Sequence, residues 1–111
     1  MSHDVFAALG DPTRRAIFEQ LGQGGAQTAS QLADLFPVSR QAISKHLGLL
    51  EAVGLVERRR IGNRVDYLVV EAALAEVEQW VRRVRSAWDE RLDRIDPNGR
   101  ANLSGSQSPT G

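Results

Sequence analysis

Cysteine is absent from this 111-residue chain, which removes disulfides, thiol redox sensing and thiolate metal sites together and fits a reducing cytosol. Histidine occurs twice, as His3 and His46, and two imidazoles far apart in sequence are a thin basis for a metal site or for catalysis. No run approaches the ~20 apolar residues a membrane span needs, and no secretory pattern opens the chain, so a cytoplasmic protein without membrane contact is expected. There is no nucleophile paired with a base, no phosphate-cradling glycine loop and no carboxylate pair set in an apolar run; neither an enzyme nor a cofactor is expected. Net charge is missing too, with 14 basic residues against 14 acidic. What remains is an ordinary soluble composition, 41% apolar and 25% charged, sized for one small domain.

The zero sum hides an uneven distribution. Six cations (Arg40, Lys45, Arg58, Arg59, Arg60 and Arg64) stand against two anions (Glu51 and Glu57) between residues 40 and 64, a local +4. Within that region, Ser39 to Leu50 winds into a helix with two opposed faces. Ile43, Leu47 and Leu50 form an apolar stripe at spacings of four and three. Arg40, Gln41, Ser44, Lys45 and Gly48 fall on another side. Their guanidinium, amide, hydroxyl and ammonium groups suit base edges and phosphates, and the small residues permit close approach. Arg40 and Gln41 are the candidates for reading bases, because their side chains can make bidentate contacts. Ser39 caps the helix and can touch phosphate; His46 borders the apolar stripe and either packs or meets a phosphate.

The flanking segments supply the rest of a domain. A short helix from His3 to Leu9 ends at Gly10. Asp11-Pro12 starts a second, which carries Ala16, Ile17 and Leu21 inward until the glycines at 22, 24 and 25. Thr28-Ala29-Ser30-Gln31 matches a capping box, and the third helix is expected to run to about Phe36 on Ala29, Leu32, Ala33 and Leu35. Pro37-Val38 breaks it, and the helix at 39–50 follows after about three residues, a helix-turn-helix. Past Gly54, alternating runs at Val56–Ile61 and Val65–Val70 flank Gly62-Asn63-Arg64 as a β-hairpin. Alternation puts Arg58 and Arg60 on one strand face and Arg59 on the other; Asn63 and Arg64 sit at the tip. From Glu71 a long helix carries Leu74, Val77, Val81, Val84, Trp88, Leu92 and Ile95 at intervals of three or four, with Trp80 widening the stripe. Its polar side allows i,i+4 pairs such as Arg85–Asp89. The predicted fold is mainly α with a β-hairpin wing. Residues 1–95 form the domain, and 96–111, rich in Ser, Gly, Asn and Pro, are an expected disordered tail.

In this order the elements resemble an ArsR/SmtB-type winged helix-turn-helix regulator over roughly residues 3 to 95. The resemblance rests on Leu9-Gly10-Asp11-Pro12-Thr13-Arg14-Arg15, on Ser39 through Leu47, and on Leu49-Leu50-Glu51-Ala52-Val53-Gly54-Leu55-Val56. It implies a homodimeric repressor that reads an inverted repeat near its own promoter and is released by an inducer. It also implies dimer contacts from the first and last helices, here Val5, Phe6, Leu9, Leu74, Val77, Trp80, Val81, Val84, Trp88 and Leu92. Metal-sensing relatives carry a Cys-x-Cys pair at positions that align with Thr28 and Ser30, and others use histidines on the last helix, where residues 71 to 95 have none. The metal switch is therefore missing, and any small-molecule or protein inducer is unidentified. Gly48 stands where relatives often have a basic residue.

The expected partners are double-stranded DNA and a second copy of the chain. The expected DNA contacts are Ser39, Arg40, Gln41, Ser44, Lys45, His46, Arg58, Arg60, Asn63 and Arg64. An alternative is a winged helix that keeps its fold as a protein-interaction module with weak, sequence-indifferent DNA affinity. The cation-bearing helix face argues against it, since protein interfaces are apolar and aromatic at their centres.

Overall fold

Local caps set most of the element boundaries. The computed structural model describes residues 3–95; the tail expected to be disordered lies outside them. The order is α1 (His3–Leu9), α2 (Pro12–Gly24), α3 (Ala29–Ala33), α4 (Arg40–Ala52), β1 (Val56–Ile61), β2 (Arg64–Val69) and α5 (Glu71–Ile95). The chain divides into two units, one running to Leu74 and the other from Ala75.

In the first unit, the Asp11 carboxylate accepts the Arg14 backbone N–H at 2.9 Å, and Pro12 occupies the first turn of α2. Arg14 and Arg15 then reach back to α1: Arg14 Nε donates to the Ala8 carbonyl at 2.9 Å and Arg15 Nη1 to the Leu9 carbonyl at 2.7 Å. Two cations thus satisfy carbonyls at the end of a helix whose dipole favours positive charge there. α2 ends at Gly25, whose φ of 82° suits a residue without a Cβ.

α3 is shorter than its apolar pattern suggests. The capping box at Thr28 and Gln31 is formed in both directions, but the helix ends at Ala33, and Leu35 is 56% exposed instead of lining the core. Pro37 disfavours helical geometry at Phe36, and residues 34–39 turn the chain. Ser39 Oγ accepts the Ala42 N–H at 3.1 Å and starts α4. α4 buries Ile43, Leu47 and Leu50, and Gly54, at φ 83°, turns the chain into β1.

The hairpin pairs Val56 with Val69 through Ile61 with Arg64, so Gly62-Asn63 is a two-residue loop and Arg64 belongs to the strand. Gly62 has φ 62° and Asn63 has none of the positive φ values, the pattern of a type II′ turn with glycine in the first loop position. A bridge between Gln27 and Tyr67 ties the hairpin to the residue before the α3 cap; nothing local in the sequence signals it.

α4 packs against α1, α2, α3 and β1, while α2 and α3 also pack on β2. Ile17, Leu21, Leu32, Ile43, Leu47, Leu50, Leu55 and Val56 are fully buried, each such side chain contributing roughly 1.5–3 kcal/mol. Val5, expected at a dimer seam, is only 2% exposed. Its side chain is committed to the chain's own interior and has no surface to offer a second copy; Phe6 and Leu9 of α1 are half-buried and retain some.

The second unit contains α5 from Ala75 onward. It exposes Trp80, Val81, Val84 and Trp88 by 39–54%, and Val77 and Leu92 are half-buried. The expected Arg85–Asp89 pair is not formed: among the described residues, the ion pairs are Arg58–Glu51, Arg59–Glu57 and Arg64–Asp66, none of them on α5. An arginine preceding an acid by four residues is the less favourable order on a helix.

Candidate nucleic-acid interface

α4 carries its exposed face as a row of uncommitted polar groups. Arg40, Gln41, Ser44 and Lys45 are exposed, and none of their side chains takes part in an ion pair among the described residues. Ser39 is partly engaged as the helix cap. Gly48 is exposed, and a Cβ built on it would meet nothing within 4 Å. The protein's own packing therefore does not demand glycine there.

The hairpin brings a second set of cations beside that row. A groove of about 630 Å³ is walled by Arg40 and Ser44 from α4, by Thr28, Ala29 and Ser30 at the start of α3, and by Arg58, Ile61, Asn63, Arg64, Val65 and Tyr67 from the wing. Five of the expected DNA contacts (Arg40, Ser44, Arg58, Asn63 and Arg64) therefore line one concavity. Arg60 is not among them. It shares a smaller recess with Arg58 and Val65, and its Nε donates to the Gly62 carbonyl at 3.2 Å. Gln41 and Lys45 stand on the exposed surface of α4 outside the groove.

The strand register sets Arg58 and Arg60 on one sheet face and Arg59 on the other. Arg58 opposes Tyr67 and Arg60 opposes Val65, and directly opposed residues share a sheet face. Arg59 opposes Asp66 on the reverse face and is tied to Glu57 at 2.6 Å. Arg64 is held by Asp66 at 2.9 Å, and Arg58 lies 3.8 Å from Glu51. All three pairs involve exposed arginines and are worth at most about 1 kcal/mol each, so a phosphate can compete for the guanidinium groups.

His46 stands apart. It is half-buried, with Nδ1 enclosed and without a partner. Asp11, the cap before α2, is held below its usual 3.8, chiefly by the Arg14 N–H, with the charges of Arg14 and His46 acting in the same direction.

Thr28, Ser30, Ile61 and Tyr67 are groove residues that the sequence did not single out as contacts. Thr28 and Ser30 stand in the wall of the cationic groove, and the Thr28 hydroxyl also accepts the Gln31 N–H at 3.1 Å.

Comparison with known proteins agrees with this geometry. A helix-turn-helix domain model matches residues 9–59. The chain is 34% identical over 79 residues to the transcriptional repressor SdpR of Bacillus subtilis, an alignment covering 71% of this chain and 87% of that protein. An ArsR-like transcriptional regulator from Rhodococcus sp. RHA1 superposes with a TM-score of 0.74 at 44% identity, covering 86% of this chain and 90% of the other. The chain belongs to the ArsR family. The homodimeric winged helix-turn-helix DNA-binding domain of Mb0332 from Mycobacterium bovis, described as a possible ArsR-family transcriptional regulator, matches at 29% identity and a TM-score of 0.62, covering 75% of this chain and 76% of that one. In ArsR terms, α3 and α4 are the helix-turn-helix, β1 and β2 the wing, and the chain is a winged helix-turn-helix transcriptional regulator.

Proposed function

We propose that this ArsR-family chain acts in the cytoplasm as a homodimeric repressor of an inverted-repeat operator. The observation that carries the reading is the single groove joining Arg40 and Ser44 of α4 to Arg58, Asn63 and Arg64 of the wing. α4 enters the major groove and reads bases through Arg40 and Gln41, while Ser39, Ser44 and Lys45 hold phosphates. Asn63 and Arg64 reach the adjacent minor groove or its backbone. Two copies present their α4 helices about one helical turn apart, so the operator is a pseudo-palindrome and occupancy blocks polymerase. The name of SdpR, a repressor, supports the direction of regulation. Release does not run through thiolate-bound metal, because the chain has no cysteine.

The test is a mobility shift on the chain's own upstream region. A double Arg40→Ala, Gln41→Ala variant loses at least tenfold in operator affinity, since one good bidentate contact discriminates by roughly 1–3 kcal/mol, and keeps its weak affinity for random duplex. Undiminished operator binding by that variant would remove α4 as the reading element.

A further inference from the structure

The groove between α4 and the wing has the build of a small-molecule site as well as of a DNA contact. We propose that it binds a small organic phosphate monoester with a flat apolar body, and that this ligand displaces the operator. The binding site rests on the groove alone; its effect on the operator rests on the repressor reading above.

Size is the first observation. A volume of about 630 Å³ falls within the roughly 300–1,000 Å³ of sites that enclose small ligands. A duplex cannot enter such a recess as a body, and its backbone meets only the rim.

The lining is the second. Arg40, Arg58 and Arg64 supply three guanidinium groups, and among the described residues no carboxylate lines the groove. All three arginines are exposed, whereas Ala29 is buried and Val65 and Tyr67 are half-buried. The recess therefore deepens from a cationic rim to a floor of methyl groups and a phenol ring. The side-chain hydroxyls of Ser30, Ser44 and Tyr67 make no hydrogen bond among the described residues and are free to donate to an oxyanion. A phosphodiester strand gains from the rim and nothing from the floor. A ligand with an apolar body gains from both, burying that body while its head takes the guanidinium groups. Three cations suit a head carrying more than one negative charge, and a phosphate monoester carries about −1.5 to −2 at neutral pH and pairs with arginine bidentately.

Displacement follows from shared residues. Arg40 has no ion-pair partner among the described residues, and Arg58 and Arg64 have only the exposed acids Glu51 and Asp66, neither of which lines the groove. A phosphate seated between these arginines neutralises the charges that DNA would meet, and each lost phosphate contact weakens DNA binding. Ligand and operator exclude each other without any movement of α4 or the wing.

Titration of the full-length chain with phenyl phosphate, followed by amide magnetic resonance, tests the site without DNA. Saturable shifts should appear at Ala29, Ser30, Val65 and Tyr67, with an affinity at least tenfold above that for inorganic phosphate at equal ionic strength. Val65→Ser should lower this preference at least threefold while signals remote from the groove stay unchanged. Phenyl phosphate that binds no tighter than inorganic phosphate overturns the site, since bare charge then accounts for it. A folded Val65→Ser chain that keeps the full preference overturns it too. At a phenyl phosphate concentration ten times its dissociation constant, the apparent operator dissociation constant should rise about tenfold. Unchanged operator affinity there overturns the displacement. A chain that binds phenyl phosphate but has no affinity for its own upstream region overturns the repressor reading instead, so the two failures are distinguishable.

Discussion

Gln27 and Tyr67 exchange both of their backbone hydrogen bonds, the Gln27 N–H reaching the Tyr67 carbonyl at 3.1 Å and the Tyr67 N–H the Gln27 carbonyl at 2.8 Å. The bridge fastens the residue before the α3 cap to the second wing strand, and so holds two walls of the cationic groove together. Gln27→Pro deletes one donor and exposes the partner carbonyl. A stability loss of roughly 1–3 kcal/mol is expected from one broken pair, with weaker operator binding. Amide exchange at Tyr67 should accelerate in parallel. A variant that binds normally with a fast-exchanging Tyr67 amide would show that the bridge does not shape the groove.

Gly48 separates stability from function. An interior helical glycine costs roughly 0.5–1 kcal/mol relative to alanine, and nothing crowds the position. Gly48→Ala should therefore raise the melting temperature. The added methyl stands on the face proposed to meet DNA, and operator affinity should fall at least threefold. Thermal melts with binding isotherms decide it: equal affinity at higher stability would mean that the helix backbone does not approach the duplex at this point.

Arg64 is partly neutralised by Asp66. Asp66→Asn should release it and tighten binding a few-fold at low salt. Arg64→Ala should weaken binding across sequences and lower the slope of log affinity against log salt by about 1, as expected for one lost phosphate contact. A salt slope unchanged by Arg64→Ala would place this side chain off the DNA.

Much of the fold was legible because its signals are local. Ser39, the Thr28–Gln31 box, Asp11-Pro12 and the glycines at 25, 54 and 62 act within a turn of themselves, and the structure has a cap or a bend at each. The stripe of Ile43, Leu47 and Leu50 was equally readable, since period alone assigns its face. Where a tertiary partner decides, the pattern misled or was silent. Leu35 continues an apolar spacing but lies beyond the end of α3, and Val5 faces the interior while its neighbour Phe6 does not. The Gln27–Tyr67 bridge joins residues forty positions apart, and Arg14 and Arg15 spend their charges on α1 carbonyls. The candidate site was half visible for the same reason. The residues of α4 and the hairpin could be named one by one. That Thr28 and Ser30 complete a wall depends on how the hairpin packs on α3.

Asp11 gives the fold an acid-sensitive cap. Its pKa lies below 3.8, mainly because the Arg14 N–H donates to it. A carboxyl with a lower pKa folded than unfolded stabilises fully above the unfolded value, and that contribution is lost as pH falls through the folded one. Stability should therefore drop below about pH 4. Asp11→Asn retains a capping oxygen and should flatten the profile in that window. Chemical denaturation at pH 3 and pH 6 measures the difference; equal pH dependence in both proteins would assign the acid sensitivity to other carboxylates.

The wing tip has two positions with unequal histories available to them. Gly62 is held at φ 62°, where any side chain strains the turn, so that residue is frozen by geometry whatever sequence the protein binds. Asn63 carries no such constraint and points from the same loop. On the proposed reading of the wing, descendants of this gene can alter what it offers a duplex by changing one letter at 63 without re-engineering the hairpin that presents it.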